Sequence, residues 1–265
     1  MNISNFDTVI SDADGTLVDT VELIRKGQYQ ALINHLASRQ VSRNQLPNYE
    51  YFEEALHQSI GGDTYSTLRK TASLIYENFP EILQKLDFDE LNNGLSAVQD
   101  QLAPSLVKAY DGLSDFLFEV GRRHLKFAIV TSGSPHHIVR NFGLALPDLA
   151  MRKFYEDQSL GDQDKLAIFQ EKVRNHFGIK GLAIITCHDV AAHKPDPESI
   201  LLALTKLQSM PEKTIGLGDH VVDIEACRNA QVKHFVGVSH GFNTSPQLKS
   251  AGAERTIRTL ADFWR

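Results

Sequence analysis

FDTVISDADGTLVDT, residues 6–20, decides how this chain is read. Phe6 to Ser11 is a short apolar run, the pattern of a strand buried on both faces. It runs into Asp12 and Asp14, with Gly15 and Thr16 next and Asp19 close behind. A side-chain period of two sends Asp12 and Asp14 to one side if the extended geometry persists. Carboxylates that close repel each other, so the pair needs a compensating cation or a proton.

Four later stretches repeat the pattern of a short apolar run that ends in small or polar residues. They are KFAIVTSG (126–133), GLAIITCHD (181–189), KTIGLGD (213–219) and KHFVGVSHG (233–241). Helical sequence lies between them, so the pattern predicts a doubly wound α/β fold, a parallel sheet with helices on both faces. Residues 20–102 break the alternation. Leu68, Ala72, Ile75 and Phe79, and then Leu91, Leu95, Val98 and Leu102, recur at helical spacing. This region reads as an all-helical module inserted after the first strand, which leaves 1–19 and 103–265 as the α/β core domain. Lys165 to Phe177 reads as one further helix, in a segment (about 145–180) whose role the residues leave open between surface elaboration, dimer contact and substrate gating.

The composition sets outer bounds. A chain of 265 residues with 42% hydrophobic and 23% charged content can build one large or two modest globular domains. The net charge of −6 argues against a nucleic-acid partner, which would want a basic stripe. Cys187 and Cys227 are far apart and form neither a disulfide framework nor a zinc motif. No signal peptide or membrane-length apolar run is found, so a cytoplasmic protein without a membrane partner is expected.

In parallel sheets of this kind, ligands bind beyond the carboxyl ends of the strands. The polar residues there are Asp12 and Asp14, Thr131 and Ser132, the loop reaching Lys194, and Asp219 with Asp223. Up to four carboxylates at one end of a sheet call for a hard divalent cation, and Mg²⁺ is the natural choice beside a phosphate. Asp219 and Asp223 are placed to flank the start of a helix, where negative charge is tolerated. Thr131 offers a hydroxyl, and the small residues of TSGS suit an anion cradle. Lys194 precedes Pro195, which fixes the chain direction. One ammonium beside these carboxylates describes a phosphoryl-transfer site with an Asp nucleophile and a second Asp for proton transfer.

DADGTLVDT, TSG, HKPDP and GLGDHVVDIEA stand in the order and rough spacing of the four motifs of the haloacid dehalogenase superfamily. The chain resembles its branch of phosphoglycolate phosphatases, beta-phosphoglucomutases and phosphonatases, which carry a helical cap at this insertion point. The resemblance implies a Rossmann-like core and a Mg²⁺-dependent phosphatase of a small phosphorylated metabolite, phosphoglycolate-like or sugar-phosphate-like. Asp12 would be nucleophile and metal ligand. Asp14 would be general acid and base, and would lend its backbone carbonyl to the metal. Gly15, Thr16, Thr131, Ser132 and Lys194 would bind the phosphoryl group, and Asp219 and Asp223 would complete the metal site. The presence of Asp14 favours phosphate over halide chemistry, because a halide needs no proton. In the cap, Gly61, Gly62, Asp63 and Arg69 fall where relatives carry a substrate-reading loop. A monomer or weak homodimer is expected.

Plainer readings compete. A calcium loop starting at Asp12 would need Gly at residue 17 and Glu at residue 23, and both are Leu. Thr131 or Ser134 is also a natural helix N-cap ahead of Pro135. Lys194 reads as a surface lysine, Asp219 and Asp223 as first-turn acids, and Gly61-Gly62 as a helix break. His136, His137, His188, His193 and His220 have no zinc spacing. A phosphomutase shares every Asp of the hydrolase, so the motifs do not separate the two. A phosphonatase, on the same resemblance, would want a cap lysine where Asp63, Thr64 and Tyr65 stand; the nearest candidates are Arg69 and Lys70, and Lys70 keeps that alternative open. A non-catalytic binding module would be expected to lack Asp12 or Lys194.

Overall fold

The structure is a computed structural model that describes residues 3–60 and 63–265. The strands are β1 (Thr8–Ser11), β2 (Val18–Asp19), β3 (Lys108–Ala109), β4 (Lys126–Val130), β5 (Leu182–Ile185), β6 (Thr214–Gly218), β7 (His234–Val238) and β8 (Arg255–Ile257). Six of them form one sheet in the order β5-β4-β1-β6-β7-β8, every pairing parallel. The chain moves outward from β1 to β4 and β5, then returns to the other side of β1 to lay down β6, β7 and β8. The switch point therefore lies at β1, and the crevice beyond its carboxyl end is where this topology holds a ligand.

The core helices are α6 (Leu113–Arg122), α7 (Pro135–Ala145), α8 (Arg152–Tyr155), α9 (Asp162–Phe177), α10 (Glu198–Leu207), α11 (Val221–Asn229) and α12 (Ser245–Ala251). Alternation along the strands divides the packing into two faces. Ile10, Ala128 and Val130 meet Ile200, Ala203 and Leu204 of α10, and Ile224 and Cys227 of α11. Phe127 points the other way, with its ring 5.9 Å from Phe116 of α6. Helix α9 matches the expected Lys165–Phe177 and starts three residues earlier. It is a core element rather than an elaboration: Phe169, Val173 and Phe177 are buried, and Phe169 lies 5.3 Å from Phe142 of α7. Ser134 caps α7 by accepting from His137 N–H at 3.4 Å, with Pro135 at the first helical position.

Three short strands are not expected from the sequence. β2 and β3 pair antiparallel, Val18 with Ala109 and Asp19 with Lys108, and β8 adds an edge to the sheet. All three strands are only two or three residues long, too short for a period of two to register.

The chain separates into two compact units, one of Met1–Thr20 with Val107–Arg265 and the other of Val21–Leu106. The second is all helical: α1 (Val21–Ser38), α2 (Tyr49–Ser59), α3 (Thr64–Ile75), α4 (Pro80–Leu83) and α5 (Phe88–Leu106). Leu68, Ala72, Ile75, Leu91 and Leu95 share one core with Leu32, Leu36, Phe52 and Leu56. Phe79, expected to continue the stripe of α3, does not. Helix α3 ends at Ile75, Pro80 starts a new helix, and Phe79 stands between them with 48% of its surface exposed.

Candidate active site

The ladder brings the first two site segments side by side. Ser11 pairs with Ile129 of β4 and Leu217 of β6, and Asp12 N–H extends the ladder to Leu217 O at 2.9 Å. Asp12 therefore emerges beside the ends of β4 and β6, where Thr131 and Asp219 stand. At Gly15 the chain turns with φ +82°, in the left-handed region that favours glycine. Gly15 N–H donates to Val18 O at 2.9 Å and Thr16 N–H to Ala13 O at 3.3 Å.

That turn alters two expectations. The N–H groups of Gly15 and Thr16 are engaged inside the turn, whereas those of Ala13 and Asp14 donate to no protein acceptor among the described residues. Extended geometry also stops at Asp12, so the carboxylates at the sheet tip number three rather than four. Asp12, Asp219 and Asp223 each offer an oxygen within 4.8 Å of the others. The Asp14 carboxylate is held apart, with Asn141 Nδ2 donating to its Oδ1 at 2.9 Å and Thr131 Oγ1 lying 3.4 Å from its Oδ2.

Lys194 is 5% exposed and makes three donor contacts: 2.7 Å to Asp12 Oδ1, 2.8 Å to Asp223 Oδ1 and 2.8 Å to Val130 O. An ammonium has three N–H donors, so this geometry uses all of them. Lys194 thus orients Asp12 here. A direct bond to phosphate, the role expected from the sequence, requires exchange of one of these partners. The loop that carries it is tied down from two sides. Glu198 accepts from Ala192 N–H at 2.7 Å and from Ala191 N–H, and Asn229 Nδ2 donates to Pro195 O at 2.9 Å. Those two amides hold the Glu198 carboxyl below its usual range.

Asp219 is 1% exposed, just past β6 and ahead of α11. Thr16 Oγ1 donates to its Oδ1 at 2.8 Å and Phe242 N–H to its Oδ2 at 2.6 Å. Its other walls are glycines. A Cβ on Gly15 would stand 2.6 Å from Asp219 Oδ2, and one on Gly241 would stand 2.0 Å away. Asp223 lies in the first turn of α11, where its Oδ2 accepts from His220 N–H at 3.1 Å. His240 supports the Thr16 turn. One ring nitrogen lies 3.0 Å from Thr16 O, the other 3.0 Å from Arg258 O, and the ring stacks on Tyr110.

The electrostatics call for a cation. Burial pushes the Asp12 carboxyl well above its usual range, against the pull of Lys194, and Asp223 and Asp219 add to the rise. Burial and then Asp223 raise Asp219 to about 7, against the Phe242 amide and the Thr16 hydroxyl. Burial works against the Lys194 ammonium too, but Asp12 and Asp223 outweigh it and its pKa rises. One ammonium among three crowded carboxylates, Asp219 and Asp223 buried and Asp12 half-buried, leaves them in need of protons or a further cation. An all-oxygen donor set in that state fits a hard divalent ion such as Mg²⁺.

Ser132 lies half-buried in the bend between β4 and α7, and Gly133 N–H donates to Thr131 Oγ1 at 2.9 Å. In the helical unit, Gly61 and Gly62 fall outside the described residues. Asp63 serves as the N-cap of α3, accepting from Ser66 N–H at 2.7 Å. Arg69 is exposed and sits over the Phe88 ring at 5.4 Å. Asn141, Arg140, His240, the Phe242 amide and Gly241 were not singled out from the sequence. The available signal was weak: Arg140-Asn141 interrupts the apolar run of α7, and Gly241-Phe242 follows a strand.

The pattern that defines haloacid dehalogenase-like hydrolases matches residues 6–231. A phosphorylated carbohydrates phosphatase of Thermotoga maritima is 26% identical over 256 residues, spanning 95% of this chain and 94% of that one. A pyrophosphatase PpaX of Bacillus pumilus is 27% identical over 263 residues, spanning 99% and 97%. A predicted phosphoglycolate phosphatase from Haemophilus somnus 129pt shares the fold with a TM-score of 0.67 at 15% identity, over 97% of this chain and 96% of that one. Among the described residues, no helix is long and apolar enough to cross a membrane. With its motif residues gathered at one sheet tip, the chain belongs to the haloacid dehalogenase-like hydrolase family.

Proposed function

We propose that this protein is a Mg²⁺-dependent phosphatase that releases phosphate from a small phosphorylated metabolite by way of an aspartyl-phosphate on Asp12. The observation that carries the reading is the buried ion cluster in which Lys194 bridges Asp12 and Asp223 at the switch point of the sheet. Lys194 fixes Asp12 Oδ1, while Oδ2 keeps, among the described residues, only the 3.3 Å contact from Thr16. The Asp12 carboxylate attacks phosphorus, and the bond from phosphorus to the leaving oxygen breaks. Asp14, as the general acid, gives that oxygen its proton. Water then attacks the acyl phosphate, Asp14 takes a proton back, and the Asp12 carboxylate is restored. The unengaged N–H groups of Ala13 and Asp14 are available to phosphoryl oxygens. Asp12, Asp219 and the Asp14 backbone carbonyl would hold Mg²⁺, with Asp223 in support. When bound it supplies positive charge that offsets the repulsion between nucleophile and phosphate.

The relatives named above place phosphorylated carbohydrates and pyrophosphate first among substrates to try. The helical insert, Val21–Leu106, is assigned the selection of substrate as the cap of the enzyme.

Phosphate release from a panel of sugar phosphates, phosphoglycolate and pyrophosphate, with Mg²⁺ and with chelator, tests the reading. Release that needs Mg²⁺ and is lost in Asp12→Asn is expected. Equal release by Asp12→Asn and the parent protein overturns it. Isomerisation of a sugar phosphate without phosphate release would replace hydrolysis by a mutase.

A further inference from the structure

Behind Asp14 runs a buried chain of hydrogen bonds supplied by α7. Arg140 and Asn141 are 2% and 3% exposed. Arg140 Nε donates to Asn141 Oδ1 at 3.0 Å, and Asn141 Nδ2 donates to Asp14 Oδ1 at 2.9 Å. An asparagine amide can ordinarily present either end to a neighbour. This one is constrained, because a guanidinium has donors and no acceptor. The Asn141 oxygen must face Arg140, so its nitrogen must face Asp14. Burial of both side chains keeps water from substituting for either bond.

The two oxygens of Asp14 are thereby made unequal. Oδ1 receives the Asn141 amide. Among the described residues, Oδ2 has only the Thr131 hydroxyl at 3.4 Å, and it borders the space left by Gly133, where a Cβ would stand 3.4 Å away. A proton on Oδ1 would point at the amide hydrogens, whereas a proton on Oδ2 meets no such conflict.

We propose that Arg140 and Asn141 are positioning residues that fix the rotamer of Asp14 and reserve its Oδ2 as the oxygen that delivers and recovers the proton. This rests on Asp14 being the general acid and base. As the bond from phosphorus to the leaving oxygen breaks, the proton passes from Oδ2 to that oxygen. It is replaced from water in the second step, and the Asn141 amide keeps both hydrogens throughout. Arg140 acts one step further back, by holding the amide in the donating orientation.

The test compares kcat/KM for a primary alkyl phosphate and for p-nitrophenyl phosphate, whose leaving group needs little protonation. Asn141→Leu keeps most of the bulk and removes the donor, Asn141→Ser shortens the side chain beyond reach, and Arg140→Lys keeps the charge without the guanidinium geometry. Each Asn141 variant is expected to lose about 10- to 100-fold on the alkyl ester and less than about threefold on the aryl ester, a share of what general acid catalysis typically contributes. Arg140→Lys should lose less, with the same leaving-group dependence. In an Asp14→Asn background, Asn141→Leu should cause no further loss. Melting curves identify any variant that fails to fold, and the remaining variants then carry the comparison.

Two failures are distinguishable. If Asp14→Asn itself loses equally on both esters, Asp14 is not the acid and the underlying reading fails with this one. If Asp14→Asn is selective while the folded Asn141 and Arg140 variants lose equally on both esters, or lose nothing, the positioning role alone is overturned.

Discussion

Lys194 Nζ donates to Asp12 Oδ1 at 2.7 Å across 182 residues of chain, and both side chains are largely withdrawn from water. The contact is one side of a triangle closed by Asp223. Removing one member of a buried ion cluster is worse than never building it, because the surviving charges are left without a partner. Lys194→Met should therefore lower unfolding free energy by about 3–5 kcal/mol. It should also reduce phosphate release to the level of Asp12→Asn. Urea unfolding and a phosphate assay on the same preparation check both. Lys194→Met with parental stability would mean that the surviving carboxylates are not left buried and unpaired.

Thr16 and Asp219 provide a finer probe of the proposed metal site. The Thr16 hydroxyl is fully buried and donates to Asp219 Oδ1 at 2.8 Å. Thr16→Val keeps the shape and removes the donor. Loss of a partner that orients a ligating carboxylate typically weakens metal binding 10- to 100-fold. Mg²⁺ titration by calorimetry should show that loss, with a stability cost of about 1–3 kcal/mol in the metal-free protein. Unchanged Mg²⁺ affinity would remove Asp219 from the metal's ligands or make its orientation unimportant.

Gly15 and Gly178 both have positive φ, +82° and +69°, and both tolerate alanine poorly on backbone grounds. They differ in their surroundings. A Cβ on Gly15 would press on Asp219, whereas nothing lies within 4 Å of one on Gly178. Gly178→Ala should cost about 1 kcal/mol of stability and leave activity intact. Gly15→Ala should add a loss of Mg²⁺-dependent phosphate release of about 100-fold, since a displaced ligand disturbs the whole cluster. Equal activity in the two variants would show that Asp219 can move aside without consequence.

The central strands and the acids at their tips were legible because both signals are local. An apolar run such as KFAIV followed by TSG shows its strand, its end and its polar cargo within eight residues. Helix α9 was legible for the same reason, but its role was not, because the burial of Phe169 depends on Phe142 from another helix. Asp14 was identified while its environment was missed. Whether the chain stays extended past Asp12 depends on a turn that Gly15 permits and that the Asp219 wall requires. Asn141 stayed hidden because a polar residue inside an amphipathic helix carries no mark of what it will face. Phe79 was assigned to the stripe of α3 on spacing alone, although Pro80 after it marked a new helix.

His35 gives the helical unit a pH dependence of its own. It is buried in α1, and its Nε2 accepts from Asp87 N–H at 3.1 Å. An imidazolium has no acceptor, so protonation would cost that bond. Burial holds the His35 pKa below its ordinary 6.5, with Arg39 adding to the effect and Glu90 and Asp87 opposing it. The unfolded chain therefore takes up the proton before the folded one does. His35 supports stability in full above about pH 6.5, and this support declines as the pH falls from there through the folded pKa. His35→Gln can still accept from Asp87 but does not titrate. The difference in urea midpoint, parent minus His35→Gln, should fall between pH 7.5 and pH 5, while the acid effects common to both proteins cancel. A difference that is constant or grows over that range would show that His35 is not held neutral by its burial.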